Sequence, residues 1–269
     1  PDPGYPVYSA SGIIAGAEIV TLPLIAERGF LPDLSAIPSS ALEKAKILWL
    51  NYPNNPTGAI APMAFFEEAV AFARKHRILI AHDAPYTDVC FDGYVAPSIL
   101  QVTGAKDVAV EFNSLSKTYN MAGWRVGVCV GNADIIAALL QVKSNIDSGM
   151  FKPVQAASVA AMAHVEADWI ATRNAIYQRR RDAIVEALPS IGLSGQVPRG
   201  AMYVWAKVAD GDDVRYVADA LEMTGVSLVP GETYGAQGRG HVRISFVVSE
   251  ERIREAMKRL INWYRQHRA

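Results

Sequence analysis

An α/β fold, with a mostly parallel sheet flanked by helices on both faces and a small α+β domain after it, is what this 269-residue sequence predicts. Three observations predict it. Short β-branched, apolar segments alternate with helix-period segments through the first half, the pattern of strand-helix-strand units in a parallel sheet. From Ala133 the chain turns to long helical stretches. Beyond them, mixed strands with two flanking helices form a separate, smaller unit. The division drawn from these is a large domain over residues 1–150, then connecting helices and a small C-terminal domain over residues 151–269.

Taken in order, the candidate strands of the first half are Ala17–Leu22, Lys46–Leu50, Ile78–His82, Val108–Asn113 and Arg125–Val130. Each is short, apolar and rich in β-branched residues. Between the second and third, Pro62–His76 carries Phe65, Phe66, Ala69, Val70, Phe72 and Ala73 at helical spacing. Its proline stands at the start, where a missing N–H costs nothing. Ala156–His164 and Trp169–Leu188 are the clearest of the long helices. The last unit reads as strand Met202–Val208, helix Val214–Thr224, strands Ser227–Val229 and Val242–Val247, and helix Glu250–Arg265. No internal repeat is visible. In a sheet of this kind ligands bind beyond the carboxyl ends of the strands, so polar motifs there are the candidate site.

Composition narrows the function classes. The chain is 51 % apolar and 20 % charged, which fits a folded globular protein. A formal net charge of −1 gives no field for nucleic acid or an anionic membrane. No apolar run reaches the ~18–20 residues that a membrane helix needs. Two cysteines, Cys90 and Cys129, have no Cys-x-x-Cys spacing, so neither a disulfide framework nor a metal site is expected. A reducing, cytoplasmic compartment follows as the default. Cys129 lies in Val126–Gly131, read as a buried strand with a small core thiol. Arg179-Arg180-Arg181 falls in a helical pattern and reads as a solvated face.

Three polar blocks follow predicted strands. In Ser114-Leu-Ser-Lys117-Thr-Tyr-Asn-Met-Ala-Gly-Trp-Arg125-Val-Gly127, a lysine after a strand is placed to form a Schiff base with an aldehyde cofactor. Ser114, Ser116 and Arg125 supply directed donors and a planar cation for a phosphate. In Asn51-Tyr-Pro-Asn-Asn55-Pro56-Thr-Gly58, the residues suit a tight turn, or a loop in which Asn55 donates to a ring oxygen. In His82-Asp83-Ala-Pro-Tyr86, an aspartate ends a hydrophobic strand, which is costly without a partner. A protonated pyridine nitrogen is such a partner. His82 points to the opposite face by the strand's period of two and reads as structural.

Asn-Asn-Pro-Thr-Gly, Asp-x-x-Tyr and Ser-x-Ser-Lys with Gly-Trp-Arg-Val-Gly downstream resemble, in that order, the pyridoxal-5′-phosphate (PLP) dependent aminotransferases of class I/II. The likeness runs from Pro3-Gly-Tyr-Pro6 to Val242-Arg-Ile-Ser-Phe246. It implies PLP as cofactor, Lys117 as its covalent anchor, Asp83 on the pyridine nitrogen, and Asn55 with Tyr86 on the phenolic oxygen. It also implies Ser114, Ser116 and Arg125 around the phosphate, Tyr5 stacked on the ring, Arg243 as the fork for the substrate α-carboxylate, and a cis Asn55-Pro56 bond. Partners implied are an amino acid, a 2-oxo acid such as 2-oxoglutarate, and a second copy in a homodimer. Asn120-Met-Ala-Gly-Trp and Lys143-Ser-Asn145-Ile-Asp-Ser-Gly149 are most similar to LL-diaminopimelate aminotransferases, which makes Asn145 a candidate substrate contact reaching a neighbouring subunit's site. Aspartate, alanine or aromatic aminotransferases, a PLP-dependent C–S lyase, and the ligand-sensing domain of a transcription regulator are the alternatives. Family members carry a phosphate loop, two sheet strands and a closing arm upstream of the position of Tyr5. The chain, opening at Pro1, is therefore expected to be most of such an enzyme with its N-terminal part missing.

Overall fold

The structure, a computed structural model, describes residues 1–267. In chain order the elements of the first half are α1 (Val7–Ile14), α2 (Ser39–Leu42), β1 (Ile47–Asn51), α3 (Met63–His76), β2 (Leu79–Asp83), β3 (Ala109–Ser114), α4 (Leu115–Thr118) and β4 (Gly127–Gly131). Then come α5 (Ala133–Ile146), α6 (Lys152–His164), α7 (Ala167–Ala187), β5 (Leu193–Gly195), β6 (Tyr203–Val208), α8 (Asp213–Thr224), β7 (Val229–Pro230), β8 (His241–Ser245) and α9 (Glu250–His267). Contacts divide the chain into two compact units. One, the Lys117 unit, comprises Leu34–Pro53 and Ile60–Thr172; the other, the Arg243 unit, comprises Pro1–Asp33, Asn54–Ala59 and the chain from Arg173 on. Residue 150 lies between α5 and α6, inside the Lys117 unit.

The Lys117 unit is built on a sheet in the order β1-β2-β3-β4. β1, β2 and β3 are parallel and β4 runs antiparallel to β3. Register puts Leu48, Leu50, Ile80, His82, Ala109 and Glu111 on one face and Trp49, Ala81, Asp83, Val110 and Phe112 on the other. α3 covers the first face. It buries Phe65, Phe66, Ala69, Val70 and Ala73 along one stripe, and the Phe66 ring meets His82 at 4.9 Å. On the second face Trp49 and Phe112 stack at 6.1 Å across the small Ala81.

The Arg243 unit is built on an antiparallel sheet in the order β5-β6-β8-β7. Val204, Ala206, Val208, Val242 and Ile244 are buried, as are Ile184 of α7 and Leu188 and Ile191 after it, and α8 and α9 add to that core. α9 buries Ile253, Met257, Leu260 and Trp263, and the Trp263 ring meets Tyr216 of α8 edge-on at 5.4 Å. The opposite face carries Tyr203, Trp205, His241 and Arg243, with His241 stacked on Trp205 at 5.2 Å.

Three expectations are corrected. Arg179-Arg180-Arg181 is not wholly a solvated face, because Arg181 is 3 % exposed and its Nη1 donates to the Pro198 carbonyl at 2.9 Å. Ala17–Leu22 is not a strand: the segment joins no ladder, and beside it Asp2 and Pro23 form an isolated bridge. A β-branched run favours extended backbone but forms a ladder only where a neighbour exists. Of Val126–Gly131, the residues Gly127–Gly131 form a strand, but not a buried one. Val128 and Val130 are exposed and Cys129 is half-buried, because β4 pairs on one side only, with β3.

Candidate active site

In the Lys117 unit, β1 and β2 end side by side at Asn51 and Asp83, and the Asn51 side-chain amide donates to the Asp83 carbonyl at 2.7 Å. Asn113, near the end of β3, donates from Nδ2 to the Ala84 carbonyl (3.1 Å) and to Thr87 Oγ1 (2.9 Å). Thr118 Oγ1 donates to Asp88 Oδ2 at 2.9 Å. These bonds stitch the turn after β2 to the segment after β3. The first carries Tyr86 and the second Lys117. Lys117 Nζ consequently stands 5.7 Å from the centre of the Tyr86 ring.

Lys117 belongs to α4, a single turn entered through Ser114, whose hydroxyl accepts from the Ser116 N–H at 3.3 Å. Arg125 returns to the same end because β4 is antiparallel: Ser114 pairs with Gly127, and the Leu115 N–H donates to the Val126 carbonyl at 3.2 Å. The Arg125 backbone is left-handed at φ 55°, and its Nη1 donates to the Ala122 carbonyl at 3.0 Å. Asp83, Tyr86, Ser114, Ser116, Lys117 and Arg125 thus cluster beyond the carboxyl ends of β2 and β3, where an open α/β sheet carries its chemistry. A carboxylate at a strand end, an amine, and two hydroxyls with a guanidinium are the donor set that PLP requires.

Behind Asp83, on the other face, His82 is fully buried and pairs through Nδ1 with Glu111 Oε2 at 3.1 Å. The same oxygen accepts from Ser98 Oγ (2.8 Å) and the Ile99 N–H (3.1 Å). Burial pushes the Glu111 carboxyl up, but bonds from His82, Ser98 and Ile99 outweigh it and hold the group below the usual carboxylate range.

The Arg243 unit holds Tyr5, Asn55 and Arg243. Both Tyr52-Pro53 and Asn55-Pro56 are cis, the second as the resemblance implies. Asn54 closes the loop: its Oδ1 accepts from the Thr57 N–H (3.0 Å) and hydroxyl (2.6 Å). Gly58 has φ +70°, and a Cβ there would lie 2.5 Å from Pro198 Cβ. Asn55 Oδ1 accepts from Arg243 Nη1 at 3.0 Å. The guanidinium lies 4.2 Å from the centre of the Tyr203 ring and 5.0 Å from that of Tyr234. Burial, with Tyr203 and Tyr5 nearby, pushes the Tyr234 phenol up against the opposing pull of Arg243. The Gly4 N–H donates to the Tyr234 carbonyl at 2.8 Å, which brings Tyr5 into this neighbourhood. Asn145 differs from the other candidates. It is exposed on α5, and its side-chain amide donates to Gln141 of its own helix at 2.7 Å.

Glu111, Asn113, Thr118, Tyr203 and Tyr234 were not legible as site residues. Glu111 had a signal: it is a charge inside the apolar run Val108–Asn113, and the partner rule applied to Asp83 applies equally there.

Among solved structures, apo BacF from Bacillus subtilis superposes with a TM-score of 0.93 at 39 % identity, covering 98 % of this chain and 67 % of that one. The family model for aminotransferase class I and II matches residues 1–260, and this chain belongs to that family. Its members are transaminases that move an amino group between an amino acid and a 2-oxo acid. Among curated relatives, LL-diaminopimelate aminotransferase of Dehalococcoides mccartyi is 48 % identical over 99 % of this chain and 69 % of its own length. LL-diaminopimelate aminotransferase 2 of Trichormus variabilis is 50 % identical over 97 % of this chain and 67 % of its own. The chain therefore spans about two thirds of these relatives. No helix among the described residues is long and apolar enough to cross a membrane.

Proposed function

We propose that this chain uses PLP anchored on Lys117 to transfer an amino group from LL-2,6-diaminopimelate to a 2-oxo acid such as 2-oxoglutarate. The observation that carries the chemistry is the cluster of Lys117 with Asp83, Tyr86, Ser114, Ser116 and Arg125 beyond two parallel strands. The substrate rests on the relatives at 48 % and 50 % identity that bear its name. When bound, PLP supplies a conjugated ring into which electrons of the substrate's α-carbon delocalise.

The chain's residues then divide the work. Asp83 holds a proton on the ring nitrogen, and Tyr86 donates its phenol to the ring's phenolic oxygen. Ser114, Ser116 and Arg125 hold the phosphate. Lys117 Nζ would be the covalent anchor and, once freed by the substrate amine, the base that takes the proton from the substrate's α-carbon and the acid that delivers it to the cofactor's aldehyde-derived carbon. Arg243 grips the α-carboxylate through its planar fork, with Asn55 holding one of its nitrogens. The proposal includes a homodimer and a cytoplasmic location, the latter in keeping with Cys90 and Cys129 standing as thiols rather than as a disulfide.

The test is a donor screen on PLP-loaded protein with 2-oxoglutarate as acceptor. LL-2,6-diaminopimelate is expected to exceed aspartate, alanine and phenylalanine in kcat/KM by about tenfold or more, an ordinary margin for a site that matches its substrate's polar groups. A preference for any of the other three overturns the substrate assignment.

A further inference from the structure

We propose that Tyr203 and Tyr234 are positioning residues that clamp the Arg243 guanidinium between their ring faces and so hold its plane ready for a carboxylate. The proposal rests on the reading of Arg243 as the carboxylate fork.

Arg243 is on β8 opposite Trp205 of β6, so Tyr203, two residues before Trp205, is its diagonal neighbour on the same sheet face. That places one ring at 4.2 Å from the guanidinium carbon. The second ring, at 5.0 Å, comes from the loop that follows β7. That loop is fixed by bonds to a buried carboxylate. Asp213 Oδ2 accepts from the Glu232 N–H at 3.0 Å, and its Oδ1 accepts from the Gly240 N–H at 2.9 Å. Tyr234 also stands edge-on to Trp205 at 6.0 Å, which sets the direction its ring faces.

Hydrogen bonds alone do not fix Arg243. Its Nη1 donates to Asn55, while its Nε is buried with no acceptor. The guanidinium plane is therefore held by one in-plane bond and by ring faces, whose negative quadrupoles attract a cation. A bidentate carboxylate grip needs that plane fixed before the ligand arrives, because a misaligned fork forfeits one of its two bonds. The hydroxyls of the two tyrosines are not required for this role; their rings are.

The experiment uses PLP-loaded enzyme and reads KM for the amino donor, kcat, and the inhibition constant of maleate, a carboxylate without an amine. Tyr203→Leu is expected to raise KM and the maleate constant about tenfold with kcat little changed, the scale on which a desolvated cation–π interaction strengthens binding. Tyr203→Phe is expected to behave like the parent. Replacing that phenylalanine by its mono-, di- and trifluorinated analogues weakens the ring's negative face at nearly constant size, and both constants are expected to rise stepwise. The same series at Tyr234→Phe repeats the test from the other ring. Flat series at both positions overturn the clamp whether or not the Leu variants fold. Arg243→Gln separates the two layers. If it leaves maleate binding unchanged, Arg243 is not the fork and the underlying reading fails. If it abolishes binding while the fluorinated series stay flat, only the clamp fails.

Discussion

Asp83 and Lys117 lie within one hydrogen-bonded framework in the Lys117 unit, yet the roles proposed for them predict different failures. Removing the amine of Lys117 removes both the covalent attachment and the base. In Lys117→Ala, borohydride should no longer fix PLP to the protein, and turnover should fall at least ~10²-fold, the lower end for a missing general base. Mass spectrometry of the borohydride-treated variant checks the first part, and a retained adduct at another lysine would refute it. Asp83→Ala should instead keep the attachment, because the lysine is intact, while the half-reaction with an amino acid slows by a similar ~10²-fold factor or more. Stopped-flow absorbance distinguishes the two. Asp83 was legible in the sequence as a charge ending an apolar strand, where solvation alone cannot explain it, and Lys117 as a lysine just after another such strand, with hydroxyls and a guanidinium nearby in sequence. Arg243 was legible only through its resemblance to a known pattern. Its partner Asn55 is 188 residues away in the chain, a distance no local pattern bridges.

At the scale of elements, the strands that read most clearly were β1, β2 and β3. Strands covered on both faces become continuous apolar runs. What escaped was decided by neighbours: Ala17–Leu22 has the composition of a strand without a ladder, and β5, at three residues, is too short to leave a pattern. Two predictions belong here. Glu111 ties β3 to β2 and to the turn at Ser98 through one carboxylate oxygen. Glu111→Gln should cost about 1.5–3 kcal/mol at neutral pH, the range for hydrogen bonds to a charged group. Because the folded carboxyl titrates below its ordinary range, this stabilisation is fully present above the unfolded value and is lost as pH falls through the folded one. Urea unfolding of parent and variant should therefore converge in acid; a difference that grows in acid would contradict the charge assignment. Gly58→Ala is the second. The left-handed backbone and the close approach of Pro198 leave no room for a methyl group. We expect a loss of about 1–3 kcal/mol and a raised KM, since the same loop carries Asn55 to Arg243. An unchanged melting curve would show that the loop relaxes.

For the whole molecule, the telling feature is α5. Its fourteen residues include Leu139, Leu140, Val142 and Ile146, and none of the fourteen is buried. Leu140 is 62 % exposed, Val142 60 %, Ile146 77 %, and Phe151 just beyond it 73 %. β4 adds the exposed Val128 and Val130, and α6 adds Val159 and Met162. A helix of this composition ordinarily buries an apolar stripe, and unpaired strand edges invite pairing, so surface of this kind marks contact with another chain or segment. The homodimer in the proposed function supplies such a partner. We therefore expect the purified 269-residue chain to sediment at micromolar concentration as a dimer or larger species. Placing charge in the middle of the surface with Leu140→Glu and Ile146→Glu should shift it towards monomer, because burying an unpaired carboxylate costs more than the apolar burial returns. Helix content by circular dichroism should stay constant, since both positions are exposed and glutamate is a good helix former. A parent chain that sediments as a monomer with these residues intact would remove self-association from the proposal. The exposed face would then have to be covered by some other segment, and PLP occupancy measured on the same sample would report whether the Lys117 cluster holds the cofactor without a second copy.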